Sequence, residues 1–136
     1  MDRTFHISLP CKNLEKTVSY YKNELGLTIG RNTANWADIN LFGNQITFVV
    51  VNEFKFDFPT YFLEKESLPS FHFGIVLNSD EWDEVYDKIN KWSIETVIKR
   101  VFFKDKNGEQ HSFFVKDPNG YYIEFKTFKE HDEIFM

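Results

Sequence analysis

The sequence predicts a mixed α+β fold in which two paired βαβββ modules form a curved mixed sheet around one cavity. Three observations carry this expectation. The same order of patterns occurs twice: an alternating strand, an amphipathic helix at three- and four-residue spacing, then three more extended runs. Each copy opens with a histidine between apolar neighbours, His6 in "FHI" and His72 in "FHF". Each copy also has a turn glycine, Gly43 or Gly120, ahead of its last strand, and four residues further on stand Thr47 and Glu124. The modules span residues 4–53 and 70–128 of a single domain covering 1–136, a length that buries roughly two-thirds of the unfolded surface.

The elements follow in order. "TFHISLP" alternates and stops at a proline, with His6 and Ser8 on one face. "CKNLEKTVSYYKNELGL" places Leu14, Val18, Tyr21 and Leu25 on one helical stripe, with Asn13 as N-cap and Gly26 as stop. "LTIGR", "NWADINLF" and "NQITFVVVNEF" read as strands, punctuated by Gly30 and by the pair Gly43 and Asn44. Residues 53–70, with Pro59 and Pro69, read as a connector whose edges pair or cover a pocket. The second copy then runs through "SFHFGIVL", a helix over "SDEWDEVYDKINKW" capped by Ser79 or Asp80, and strands "IETVIKRVFF", "EQHSFFVK" and "YYIEFKTF". Trp82 and Trp92 bracket this helix as if both packed on the sheet.

Composition narrows the function. Hydrophobic residues make up 42% and charged residues 27%, as in an ordinary globular domain, and 16 phenylalanines point to aromatic-rich packing. A net charge of −5 argues against a nucleic-acid surface, and Lys99, Arg100, Lys104 and Lys106 read as a solvated hairpin tip. A single cysteine, Cys11, makes no intrachain disulfide; the start lacks the apolar core of a signal peptide; and no apolar run approaches the roughly 18 residues of a membrane span. The expectation is a cytoplasmic protein with a small-molecule substrate and no nucleic-acid or membrane partner.

Within "FFVKDPNGYYIEFKTF", Glu124 is a carboxylate among aromatic and aliphatic residues. Burying it is costly unless a cation, a proton or a water-filled cavity lies beside it. If the two copies pair about a pseudo-twofold axis, His6, His72 and Glu124 converge, with neutral Thr47 in the fourth equivalent place. Two imidazoles and one carboxylate describe a divalent-metal site with open positions, suited to Fe(II), Mn(II) or Zn(II). The plainer alternative has Glu124 paired with Lys126 or reaching water, and both histidines satisfied in the core.

The paired modules, the opening "FHISLPCKNLEKTVSYYKNELGL" and the closing "FFVKDPNGYYIEFKTF" resemble the vicinal oxygen chelate superfamily, which includes glyoxalase I, extradiol dioxygenases, fosfomycin resistance enzymes and bleomycin-binding proteins. The resemblance implies metal ligands at His6, His72 and Glu124, a metal that chelates two neighbouring oxygens of a small substrate, and a homodimer. It also exposes departures. Where glyoxalase I carries a fourth ligand, usually glutamate, this chain has Thr47, with Gln45 two residues earlier on the same face, and the nearby acid Glu53 lies beyond the strand's expected end. Where extradiol and fosfomycin enzymes carry a tyrosine ten residues before the ligand glutamate, this chain has Phe114, and its tail "KEHDEIFM" is mostly acidic where the fosfomycin enzymes carry cations.

The last hairpin has two registers. A four-residue turn turns His111 toward the cavity as a weak catalytic candidate, whereas a bulged five-residue loop puts Phe114 and Ser112 there; the resemblance favours the bulged form. Phe73, Phe114, Tyr122, Phe48 and Trp36 are the aromatic candidates for stacking on a substrate, and Thr47, Gln45, Ser112, Phe114 and Tyr122 are the expected substrate contacts. With three ligands and a neutral fourth position, the reading is an extradiol-dioxygenase-like oxygenase with Fe(II). The alternatives are a glyoxalase-like isomerase or lyase using Zn(II), Mn(II) or Ni(II), and a ligand-sequestering protein of the bleomycin-binding kind.

Overall fold

A computed structural model of the protein describes residues 3–92 and 94–136. Its elements are β1 (His6–Cys11), α1 (Leu14–Ser19) continuing into a π-helical turn (Tyr20–Glu24), β2 (Thr28–Asn32), β3 (Trp36–Leu41), β4 (Asn44–Val50), β5 (Thr60–Leu63), β6 (Glu66–Pro69), β7 (His72–Val76), α2 (Ser79–Lys91), β8 (Ile98–Phe102), β9 (Gln110–Lys116), β10 (Tyr122–Phe128) and a 3-10 turn (His131–Glu133). The fold is mixed α+β. Its two four-stranded sheets have the same order, β1-β4-β3-β2 and β7-β10-β9-β8. In each, the first and last strands of the copy pair in parallel and the remaining neighbours pair antiparallel.

The chain divides into two compact units. The first comprises the stretch up to Phe56 together with Asp117–Gly120; the second comprises Asp57–Lys116 and Tyr121–Met136.

In the first unit, the two-residue period of the strands sends Leu9, Cys11, Ala37, Ile39, Leu41, Ile46 and Phe48 to the buried face that carries the helix. Asn13 is the N-cap, its side chain accepting from the Lys16 N–H at 2.9 Å. The buried stripe differs from the expected one: Thr17, Tyr20, Tyr21 and Leu25 are buried, while Leu14 and Val18 are half-buried. The cause is the π-helical turn, in which the Leu25 N–H bonds the Tyr20 carbonyl five residues back and shifts the helical phase by one residue. The turn Asp117–Gly120 docks on this helix. The Tyr21 hydroxyl donates to Asp117 at 2.8 Å, and the Asn119 amide donates to Thr17 at 3.1 Å.

In the second unit, α2 is capped by Asn78, one residue earlier than expected, because its extended backbone lets the side chain accept from the Glu81 N–H at 2.9 Å. Trp82 is buried and donates through Nε1 to the Phe125 carbonyl at 2.8 Å. Trp92 is not buried beside it. The helix ends at Lys91, so Trp92 leaves the buried stripe and is 48% exposed beneath Lys88.

The connector folds into a hairpin, β5-β6, turned by Glu64 and Lys65 in the left-handed region at φ 48° and 68°. Leu68 of this hairpin joins Phe102 and Phe114 in a buried cluster, with Leu63, Ile98, Phe103 and Tyr122 packed against it. The hairpin therefore covers part of the face of the second sheet opposite α2. Among the described residues no helix is long and apolar enough to cross a membrane.

Candidate metal centre and the polar sheet faces

The register of the second sheet decides which side chains share the helix-free face. On β10, Tyr122 lies beside His72 and Glu124 beside Gly74 in the parallel pair; across the antiparallel pair, Glu124 faces Phe114 and Lys126 faces Ser112. Lys116 pairs with Tyr122, which leaves the five residues Asp117–Tyr121 in the loop. This wider loop puts Phe114, not Phe113, opposite Glu124. His111 pairs with Thr127 and turns to the α2 face, its ring 6.2 Å from Trp82 and its Nε2 3.8 Å from Glu109. The register thus removes His111 from the neighbourhood of Glu124.

Glu124 is 5% exposed. Its Oε1 lies 3.4 Å from His72 Nε2 and 3.2 Å from the Lys126 ammonium. The His72 Nδ1 is 2.9 Å from the Pro69 carbonyl at the end of the hairpin. A carbonyl only accepts, so Nδ1 carries a hydrogen; the hydrogen bond to ionised Glu124 then needs a second hydrogen on Nε2, so the charged ring donates from both nitrogens, and it offers an Nε2 lone pair only when that second proton leaves. Burial opposes ionisation of Glu124, but His72, Lys126 and the Ser112 hydroxyl outweigh it, and the carboxyl is held below its ordinary range. Among the described residues the Ser112 hydroxyl meets no partner at hydrogen-bond geometry, yet its side chain favours the carboxylate. His72 is raised, first by its hydrogen bond with Glu124 and then, against burial, by Pro69.

Gly74 is the close-approach point. A Cβ there would overlap the Glu124 carbonyl oxygen, so only glycine lets β7 run beside β10 at the position of the carboxylate. Of the expected substrate contacts, Ser112, Phe114 and Tyr122 do stand on this face. Phe114 is fully buried beneath Leu68 with its ring 5.2 Å from that of His72, and Tyr122 packs against the same cluster. Phe73, one residue out of phase, instead meets Tyr121 at 6.4 Å.

The helix-free face of the first sheet is polar. His6 pairs with Gln45, and Ser8 and Asp38 flank Thr47 on either side. Thr47 is thus the register equivalent of Glu124, as Ser8 is of Gly74 and Asp38 of Phe114. The Thr47 hydroxyl donates to Asp38 at 2.7 Å and the Gln45 amide donates to it at 3.1 Å, while Arg31, largely exposed, stands 3.9 Å away. Asp38 itself is 7% exposed. A cavity of about 320 Å³ borders it, lined also by Gly30, Arg31, Asn40 and Gln45. His6 is exposed on this face. Phe48 belongs to the other face, 5.0 Å from Tyr21.

Asp38 escaped the sequence reading. Its signal was an acid in the middle of an alternating run, "WADINL", on the same side as Trp36 and Asn40. Gly74 was signalled by a glycine inside "FHFGIVL".

The pair in the second unit fits a metal. Bonds of about 2.0–2.2 Å to histidine nitrogen and carboxylate oxygen place neighbouring donor atoms about 3–3.5 Å apart, and His72 Nε2 and Glu124 Oε1 are 3.4 Å apart. A ring whose other nitrogen is tied to a backbone carbonyl is the usual support for a metal-bound histidine. Among the described residues no group of three or more histidine, cysteine, aspartate or glutamate side chains is gathered as a metal site.

A mixed α+β repeat with a histidine and a carboxylate presented on the paired first and last strands of one copy defines a recognisable class. The model of the glyoxalase/bleomycin resistance protein/dioxygenase superfamily matches residues 3–125, and the chain belongs to that superfamily. No curated protein matches the sequence. Among solved structures, the chain is similar to a glyoxalase/bleomycin resistance protein/dioxygenase from Alicyclobacillus acidocaldarius, at 20% identity and a TM-score of 0.84 over 98% of this chain and 97% of that one. It is also similar to a genomically encoded fosfomycin resistance protein from Listeria monocytogenes, at 19% identity and a TM-score of 0.65 over 98% of each chain. A lactoylglutathione lyase from Agrobacterium tumefaciens shares 11% identity and a TM-score of 0.64 over 93% of this chain and 94% of that one. At these identities the likeness is one of fold.

Proposed function

We propose that the protein is a metal-dependent enzyme of the vicinal oxygen chelate type, acting on a small oxygen-bearing molecule, with His72 and Glu124 as two ligands and His6 as the third. The observation that carries this reading is the meeting of His72 Nε2 and Glu124 Oε1 at 3.4 Å, with the His72 ring anchored by Pro69. A bound divalent ion would supply Lewis-acid polarisation of substrate oxygens. The chain's own contribution is to aim Nε2 at Glu124 through the Nδ1 contact with Pro69, to keep Glu124 ionised although buried, and to shield that face with Leu68 and Phe114.

Within this class we favour an extradiol-dioxygenase-like oxygenase with Fe(II), because the position equivalent to Glu124 is the neutral Thr47 and leaves three ligands. One observation favours the second reading, an isomerase or lyase with Zn(II), Mn(II) or Ni(II): Asp38 accepts a hydrogen bond from the Thr47 hydroxyl and places a carboxylate next to that neutral position as a base. The test is elemental analysis of protein purified anaerobically without chelators or a histidine tag, for wild type and Glu124→Ala, followed by oxygen-uptake assays with catechols. About one equivalent of iron, lost in the variant, together with ring cleavage, supports the oxygenase. Zinc, manganese or nickel without oxygen uptake moves the reading to proton-transfer chemistry. Absence of any metal after reconstitution rejects both in favour of ligand sequestration. The homodimer belongs to the same proposal, and light scattering on the purified protein tests it.

A further inference from the structure

Two groups share one oxygen in the second unit: Glu124 Oε1 faces His72 Nε2 at 3.4 Å and the Lys126 ammonium at 3.2 Å. Taking His72 and Glu124 as ligands, on which this inference rests, an ion bonded to both must sit within a few ångströms of that ammonium. Two cations that close in a buried site repel far more strongly than in water. Lys126 also follows Glu124 by two residues on the same face of β10, so the strand itself holds it near the carboxylate.

The ammonium has somewhere to go. Lys126 ends a flexible four-carbon stem and its side chain is 27% exposed. It lines a cavity of about 270 Å³ whose walls include Gln110, Phe128 and Glu133. The Gln110 Oε1 is buried with no hydrogen-bond partner among the described residues, an acceptor whose lack of a donor is costly. With Glu133 on the same cavity, Gln110 offers the displaced ammonium an anion and a waiting acceptor.

We propose that Lys126 is a built-in competitor for the metal: it neutralises Glu124 while the metal is away and swings toward Gln110 and Glu133 when a metal takes the carboxylate, so that this residue sets how tightly the centre holds its ion. The test is titration of metal-stripped protein with Co(II), followed by visible absorption, and with Zn(II) against a chelating dye, for wild type, Lys126→Met and Lys126→Arg. The expected result is at least tenfold tighter binding by Lys126→Met and little change for Lys126→Arg. Lys126→Met should also melt lower than wild type without metal and gain more on adding zinc, because its Glu124 loses a counter-ion that only metal then replaces. Lys126→Gln serves the same comparison if the methionine variant is insoluble. Equal affinities for wild type and the neutral variants would overturn the competition while leaving the ligands in place. Failure of wild type and all variants to bind either metal would remove the ligand reading, and this inference with it.

Discussion

Glu124 and His72 respond to pH in opposite directions. The carboxyl is depressed because His72, Lys126 and Ser112 outweigh the burial that opposes its charge. Its contribution to stability is therefore present above the ordinary glutamate value of about 4.3 and is lost as pH falls through the depressed one. His72 is raised, so its contribution is present below about 6.5 and is lost as pH rises through the folded value. Both hold together only in mildly acidic solution. For metal-stripped protein we expect the melting-temperature gap between wild type and His72→Gln to be widest near pH 5–6 and to narrow by pH 8; a gap that stays flat over that range would contradict the pairing. Gly74 is the other residue on which this centre depends. Gly74→Ala should cost about 2–4 kcal/mol in denaturant titrations, since the new methyl meets backbone rather than a movable side chain. A loss below about 0.5 kcal/mol would mean that β7 can simply shift.

At the scale of elements, the β5-β6 hairpin shapes the face on which the carboxylate sits. Leu68 fills the space against Phe102 and Phe114, and Pro69 at the hairpin's end fixes the His72 ring. Leu68→Ala should destabilise the protein by about 2–4 kcal/mol through the cavity it leaves. Because the hairpin also anchors His72, the same variant should weaken Co(II) binding, and unchanged cobalt affinity at reduced stability would confine the hairpin to packing. The α2 helix offers a simpler check. Asn78→Ala should cost about 1 kcal/mol by freeing the Glu81 N–H, whereas Ser79→Ala should cost little, because Asn78 is the residue whose side chain reaches that donor.

At the scale of the whole molecule, the two units do not divide the chain at one point. Asp117–Gly120, far along the sequence, belongs with the first unit, where Asp117 accepts from the buried Tyr21 hydroxyl. Tyr21→Phe removes a hydrogen bond to a buried carboxylate and should cost about 1–3 kcal/mol in a cooperative melt. A negligible loss would show that this tie contributes nothing beyond packing.

The repeat, the elements and the residue types on each strand were legible in the sequence, because periodicity 2 and periodicity 3.6 are local consequences of backbone geometry. That is why His72, Glu124, Thr47 and Gln45 could be chosen by counting along the chain. Register was not legible locally: one residue more or less in the Asp117–Tyr121 loop exchanges Phe114 for Phe113 opposite Glu124 and sends His111 to the other face. The π-helical turn in the first helix escaped for a similar reason, since an i to i+5 bond leaves no mark on composition. Asp38 became a partner of Thr47 and Gln45 only once β3 and β4 paired, and Lys126, a partner that its two-residue spacing from Glu124 already offered, came to share the carboxylate oxygen with His72 only once β7 paired with β10. Sequence determined which side chains each strand could present. Tertiary structure decided which of them share an oxygen, because hydrogen-bond register and burial are set by contacts between residues distant in the chain.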